Sequence, residues 1–189
     1  MKKYWPLAFF GVFLLIWACS ISWGADLKVI VEAENFLREE NGAVTKTAGR
    51  IESSGNNCLL GWNNKGHAIE WEVVIPETGQ YKIVLRYANG RNWTTLRSLT
   101  VDGQVPAKAF ERIELLPSGG FAKTENNWQN LTVVDERHEP VLVEMAQGKH
   151  QVRMVNLGGI GNDDGATNLD AIGFLGKTVD PDVLGKPGK

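Results

Sequence analysis

Cysteine is nearly absent from this chain of 189 residues, which holds two, Cys19 and Cys58. A pair of this kind, with Cys19 in the N-terminal apolar stretch, builds no disulfide framework, so a packed core has to hold the fold. Histidine is just as sparse: His67, His138 and His150 stand apart, and no His/Cys set at zinc-ligand spacing results. No Ser, His or Cys constellation for nucleophilic catalysis accompanies them. Positive charge is in no excess. Without Lys2 and Lys3 the chain carries 18 basic against 22 acidic side chains, a formal balance of minus four, which points away from nucleic acid. Helical periodicity is nearly absent from Lys28 onward.

What is present begins with a leader. Lys2 and Lys3 precede an apolar run from Tyr4 to Ala18, followed by the small residues Ser20, Ser22, Gly24 and Ala25. Basic start, apolar middle and small-residue exit are the marks of a secretory signal peptide, predicted over residues 1–24. The run is interrupted by Pro6 and fades by Cys19, short of the roughly 20 apolar residues that span a bilayer. The mature protein is therefore expected to be secreted or periplasmic, with no membrane span. Ile16-Trp17-Ala18-Cys19 leaves lipid attachment at Cys19 open, although Trp17 is bulky for such a site. The 165 residues after the leader suit one domain. Cys58, beside Leu59 and Leu60, reads as a buried apolar residue.

Period-two patterns dominate that domain. Val29, Val31 and Ala33 alternate with Ile30, Glu32 and Glu34; His67, Ile69, Trp71, Val73 and Ile75 share one face; so do Tyr81, Ile83, Leu85 and Tyr87. This is the pattern of strands with one face in a core. Pro76-Glu77-Thr78-Gly79 reads as a turn joining the last two into an antiparallel pair. Further strands are expected over residues 96–101, 128–134, 140–145, 148–157 and 168–175. Many short strands with no long helix to cover them predict an all-β fold, a two-sheet antiparallel β-sandwich of jelly-roll type, over residues 25–176. Residues 177–189, with Pro181, Gly185, Pro187 and Gly188, read as a flexible tail.

Function on a rigid sandwich belongs to its loops. Three are rich in Asn, Gly and aromatics: residues 55–66 with Trp62, 89–95 with Trp93, and 119–128 with Phe121; a fourth, 158–168, holds Asp163, Asp164 and Asn168. Sugar rings need a flat aromatic platform with amide or charged groups at its edge. Trp62 and Trp93 are the candidate platforms, with Phe121 weaker, and core placement remains open for Trp62. Arg91, Arg97 and Lys65 are candidates for pairing with the carboxylate of an acidic sugar.

The ordered set "VEAENF", "GWNNKGHAIEWEVVIPETGQYKIVLRYANG", "LTVDGQ", "NNWQNL", "QGKHQVRM" and "NLDAIGF" resembles carbohydrate-binding modules of family 35 and its relative family 6, over nearly all of residues 28–175. The resemblance implies a calcium-containing β-jelly roll that binds saccharides without catalysis, at loops on one end or on a sheet face. It makes Asn168 a sugar-binding residue beside Trp62 and Trp93. It also makes Glu32, Glu34 and Asp170 ligands of a structural calcium, completed by backbone oxygens around Gly49 and Arg50. Two glutamates two apart on a strand leave one face about 6 to 7 Å apart, and an oxygen-rich pair of like charges suits calcium. The expected partner is a polysaccharide or oligosaccharide, with association with a glycoside hydrolase possible and a monomeric state. Two rivals stand: a protein-binding adhesion domain, and a glycosidase using Glu32 and Glu34, whose spacing falls within about 5 to 10 Å.

Overall fold

The computed structural model describes residues 27–188. The predicted leader and Cys19 lie outside these residues. No helix among the described residues is long and apolar enough to cross a membrane. Twelve strands follow in order: β1 (Lys28–Glu32), β2 (Arg38–Glu40), β3 (Thr45–Ala48), β4 (Asn57–Leu60), β5 (Ala68–Ile75), β6 (Gly79–Ala88), β7 (Thr95–Val101), β8 (Ile113–Leu115), β9 (Gln129–Thr132), β10 (Leu142–Met145), β11 (Gly148–Gly159) and β12 (Asn168–Gly176). They form two antiparallel sheets. One runs β10-β6-β12-β4-β3, with β1 also beside β12 and β9 beside β6; the other runs β2-β5-β11-β7-β8. The predicted two-sheet sandwich is the observed one.

The period-two faces meet in the middle. Ile69, Trp71, Val73 and Ile75 of β5 and Tyr81, Ile83, Leu85 and Tyr87 of β6 lie in one core with Val152, Met154, Ile172 and Phe174. Each such side chain contributes about 1.5 to 3 kcal/mol by leaving water, which is why the alternation survives into the fold. The expected β5–β6 hairpin is corrected. β5 pairs with β2 and β11, whereas β6 pairs with β12, β9 and β10. The turn after Ile75 carries the chain from one sheet to the other, so the two apolar faces oppose each other across the core instead of lying side by side. Alternation is identical in both arrangements.

The N-terminal run also changes character. β1 stops at Glu32, and Ala33–Asn35 form a single 3-10 turn, so Glu34 is not on a strand with Glu32. The expected flexible tail is instead a packed strap over residues 177–188. Val179 and Leu184 are buried with Val84, Ala171 and Leu175 on the outer face of the seven-stranded sheet. A side chain at Gly173 would collide with Leu184, so the glycine is what lets the strap lie close. Gly188 donates to the Trp128 carbonyl at 2.7 Å, and the Lys82 ammonium to the Lys177 carbonyl at 3.1 Å. This covering buries the outer face of β12 at Ala171, Gly173 and Leu175, and all nine residues of the strand are buried. A strap fixed by two apolar anchors and single hydrogen bonds has no periodicity for a sequence pattern to show.

Candidate functional site

Loops after β3, β4, β6 and β8 and the segment entering β12 surround a cavity of about 380 Å³ at one end of the sandwich. Its apolar part is Leu60 and Phe121; its cations are Arg50, Arg91 and Lys123; its amides are Asn63 and Asn168. No aspartate or glutamate lines it. Asn168 opens β12 opposite Ala88 and is 4% exposed. Its Nδ2 donates to the Phe121 carbonyl at 2.9 Å, tying that loop to the sheet. Phe121 lies against Gly90, where any side chain would collide with the ring.

Arg91 is the most elaborately held of the cations. Its backbone amide donates to Asn89 Oδ1 at 2.9 Å, and its guanidinium pairs with Asp164 at 2.7 Å. It lies 5.5 Å from the Trp93 ring centre and 5.6 Å from that of Phe121. The Nε–H groups of both Arg50 and Arg91 are buried without a hydrogen-bond partner among the described residues. A guanidinium is donor-only and usually engages oxygen through paired N–H groups. Two donor-rich arginines lining one cavity make it a place for an oxygen-rich or anionic ligand.

The predicted aromatic platforms fare differently. Trp62 is 1% exposed: its indole N–H donates to the His67 carbonyl at 3.1 Å, its edge meets Trp71 at 6.4 Å, and the Arg97 guanidinium covers it at 4.2 Å. The assignment of Trp62 as a sugar platform is thus corrected: a long β4 exit folds the ring inward, where its area is worth more than at a surface. Trp93 is half-buried, packs on Gly159 and donates to the Asp164 carbonyl at 3.0 Å. It stands behind Arg91 and does not line the cavity. Lys65 pairs with Asp163 at 2.9 Å on the surface, and Arg97 is fully buried, so of the three cations singled out for an acidic sugar only Arg91 reaches the cavity. Arg50, read only as a backbone neighbour of the expected calcium site, and Lys123 and Asn63 were not read as cavity residues, because loop closure brings together residues distant along the chain. Phe121, in a loop rich in Asn and Gly, carried the usable signal.

The expected calcium ligands divide as well. Glu32 and Asp170 come together on Ser54, whose hydroxyl lies 2.6 Å from Glu32 Oε2 and 3.0 Å from Asp170 Oδ2, while its amide donates to both Asp170 oxygens at 3.0 Å. A hydroxyl has one proton for those two carboxylate oxygens. Asp170 also receives Arg86 Nε at 2.8 Å. Burial pushes Asp170 up to about 6, against the downward pull of the Ser54 amide and Arg86. Glu34 Oε2 is buried and has no partner among the described residues; burial, then nearby Glu32, raises its carboxyl above the ordinary range. Among the described residues no three Asp, Glu, His or Cys side chains form a metal-holding group by themselves. Burial, more than any other cause, pushes the neighbouring Cys58 thiol up to about 12, so it stays protonated at neutral pH.

No family model matches the sequence. An exo-β-D-glucosaminidase of Amycolatopsis orientalis is 27% identical over 110 residues, 58% of this chain, but the match covers only 9% of that protein's length. Among solved structures, a family 35 carbohydrate-binding module from Clostridium thermocellum superposes with a TM-score of 0.59 at 22% identity, covering 77% of this chain and 95% of that one. The C-terminal family 6 module of LamC from Zobellia galactanivorans gives 0.56 at 19% identity, over 79% and 99%. The fold is that of the family 35 and family 6 carbohydrate-binding modules. Another such module, Xyl-CBM35, solved with a disaccharide containing glucuronic acid, superposes with a TM-score of 0.57 at 20% identity over 80% of this chain and 96% of that module. The sandwich of this chain thus shares the framework of these modules.

Proposed function

We propose that this chain is a non-catalytic, exported carbohydrate-binding module whose loop-end cavity takes an acidic sugar. The observation that carries this is the pair of buried, unpartnered Nε–H groups of Arg50 and Arg91, set beside Lys123, the Asn63 and Asn168 amides and the apolar surface of Phe121 and Leu60. A uronic acid matches that lining: its C–H face packs on Phe121 and Leu60, its hydroxyls meet the amides, and its carboxylate answers the arginines. The structure solved with a glucuronic-acid-containing disaccharide belongs to a module of the same fold. Attachment to, or assembly with, a glycoside-active enzyme fits the fragment-sized match to the glucosaminidase.

Isothermal titration with a glucuronic-acid-containing disaccharide and its neutral glucose counterpart tests the reading. We expect the acid to bind at least about tenfold more tightly, and Arg91→Gln to cost about tenfold, the scale of one charge-assisted hydrogen bond. Equal affinity for both sugars would remove the acidic preference, and binding of neither would remove the module.

We propose further that calcium joins the first and last strands. The lone oxygen of Glu34, the hydroxyl shared between Glu32 and Asp170, and a donor set made wholly of oxygen suit a hard cation, which backbone carbonyls would have to complete. When bound, the ion supplies folding free energy and no chemistry. Melting in excess EDTA should fall by several degrees and recover on adding calcium. A melting curve indifferent to EDTA, together with no metal in elemental analysis, disposes of the ion.

A further inference from the structure

Arg97 is a buried cation with no anion. It lies in β7 opposite Asn156 of β11, is 0% exposed, and makes no ion pair among the described residues. Its acceptors are all neutral. Nη1 donates to the Leu96 carbonyl at 2.8 Å and to Asn156 Oδ1 at 3.1 Å; Nη2 donates to the Gly165 carbonyl at 2.8 Å and the Trp62 carbonyl at 3.4 Å. Its Nε has no partner. The Trp62 ring face at 4.2 Å offsets part of the cost of burying the charge. Burial pulls the guanidinium down to about 9, so it remains charged at neutral pH. An unpaired buried charge is expensive, and a neutral side chain could fill the space more cheaply.

Two of its three carbonyl acceptors, those of Trp62 and Gly165, explain the location. Trp62 lies between Gly61 and Asn63, and Gly165 precedes Ala166; Gly61, Asn63 and Ala166 all line the loop-end cavity. Asn156 Nδ2 reinforces the same joint by donating to the Trp62 carbonyl at 2.9 Å, and the Gly165 amide donates to the Asn63 carbonyl at 3.0 Å. Arg97 therefore stands one layer of backbone behind the wall and knits its two halves together.

We infer that Arg97 is a positioning residue that makes the cavity select anionic sugars, holding the wall in place and supplying through it a positive field that a bound carboxylate completes. This rests on the cavity being the sugar site. The field acts through a dry, low-dielectric wall where screening by salt is weak. Contact with the carboxylate stays with Arg50, Arg91 and Lys123 at the surface of the cavity.

The test compares methyl β-D-glucuronide with methyl β-D-glucoside on three proteins: unmodified, Arg97→Gln and Arg97→Lys, with near-UV circular dichroism to establish native packing. In Arg97→Gln the ratio of acid to neutral affinity should fall about fivefold, the size expected of one charge acting across such a wall. Arg97→Lys should keep that ratio while weakening both sugars together, because the charge remains and the forked hydrogen bonds do not. A natively packed Arg97→Gln that loses affinity for both sugars by one factor, or for neither, overturns the inference in favour of a purely structural role. Should Arg97→Gln not fold, the triple variant Arg50→Gln/Arg91→Gln/Lys123→Gln gives a second measure, since it touches only the cavity surface. It should retain about a fivefold preference for the acid, and complete loss of preference overturns the inference. If the unmodified protein binds neither sugar, or both equally, the cavity reading itself has failed and this inference falls with it.

Discussion

Arg86→Met should be among the most damaging single substitutions in the domain, lowering stability by about 3 to 5 kcal/mol, which for a domain of this size is on the order of 10 °C in melting temperature. Arg86 is 1% exposed on β6, and its hydrogen-bond partners lie in four separate segments of the chain. Nε holds Asp170 Oδ2 at 2.8 Å; Nη1 donates to the carbonyls of Gly185 at 2.7 Å and Lys186 at 3.2 Å and to Asn130 Oδ1 at 3.3 Å; Nη2 donates to the Glu52 carbonyl at 3.0 Å. The methionine would fill much of the volume but leave Asp170 an uncompensated buried charge and strand the carbonyls of the strap. A double-mutant cycle separates these losses. If the ion pair dominates, Arg86→Met/Asp170→Leu should lose clearly less than the two single substitutions added together, since removing both charges removes the penalty of an orphaned one. Strict additivity would place the damage in the strap. A drop of only a degree or two in Arg86→Met would mean that Asp170 finds its compensation elsewhere.

The second large effect is at Trp62, and it separates core from site. Trp62→Ala removes a ring packed against Trp71, His67 and the Arg97 guanidinium, and should cost about 3 to 5 kcal/mol through lost transfer energy and the cavity left behind. Trp93→Ala should cost less stability, because the ring is half-buried, yet it should weaken acidic-sugar binding by loosening Arg91, which it supports from one side. Melting and titration on the same two variants distinguish the roles. A Trp62→Ala protein with the unmodified melting temperature but no sugar binding would return Trp62 to the site and contradict the packing described above.

These two tryptophans show how far a sequence pattern reaches. Both lie in loops rich in Asn and Gly, and nothing local distinguishes them. Trp62 is drawn inward because the loop after β4 runs over the end of the core, whereas Trp93 is held at the rim by the Asp164 carbonyl, 71 residues further along. The strap shows the same limit. Pro181, Gly185 and Pro187 read as a frayed end, yet Leu184 meets Gly173 and two strap carbonyls meet Arg86. Glu32 and Asp170 were legible as partners through the resemblance, while Ser54, which lies between them, carried no signal of its own.

The sequence by itself determined the all-β class and the faces that β5 and β6 bury, because strand alternation is a local property that burial acts on directly. Only the tertiary structure decided which strands share a sheet, that Trp62 is core, that residues 177–188 are part of the domain, and that Arg50, Arg91, Lys123 and Asn168 surround one cavity. Each of those depends on contacts between residues distant along the chain, where neither composition nor periodicity carries the pairing.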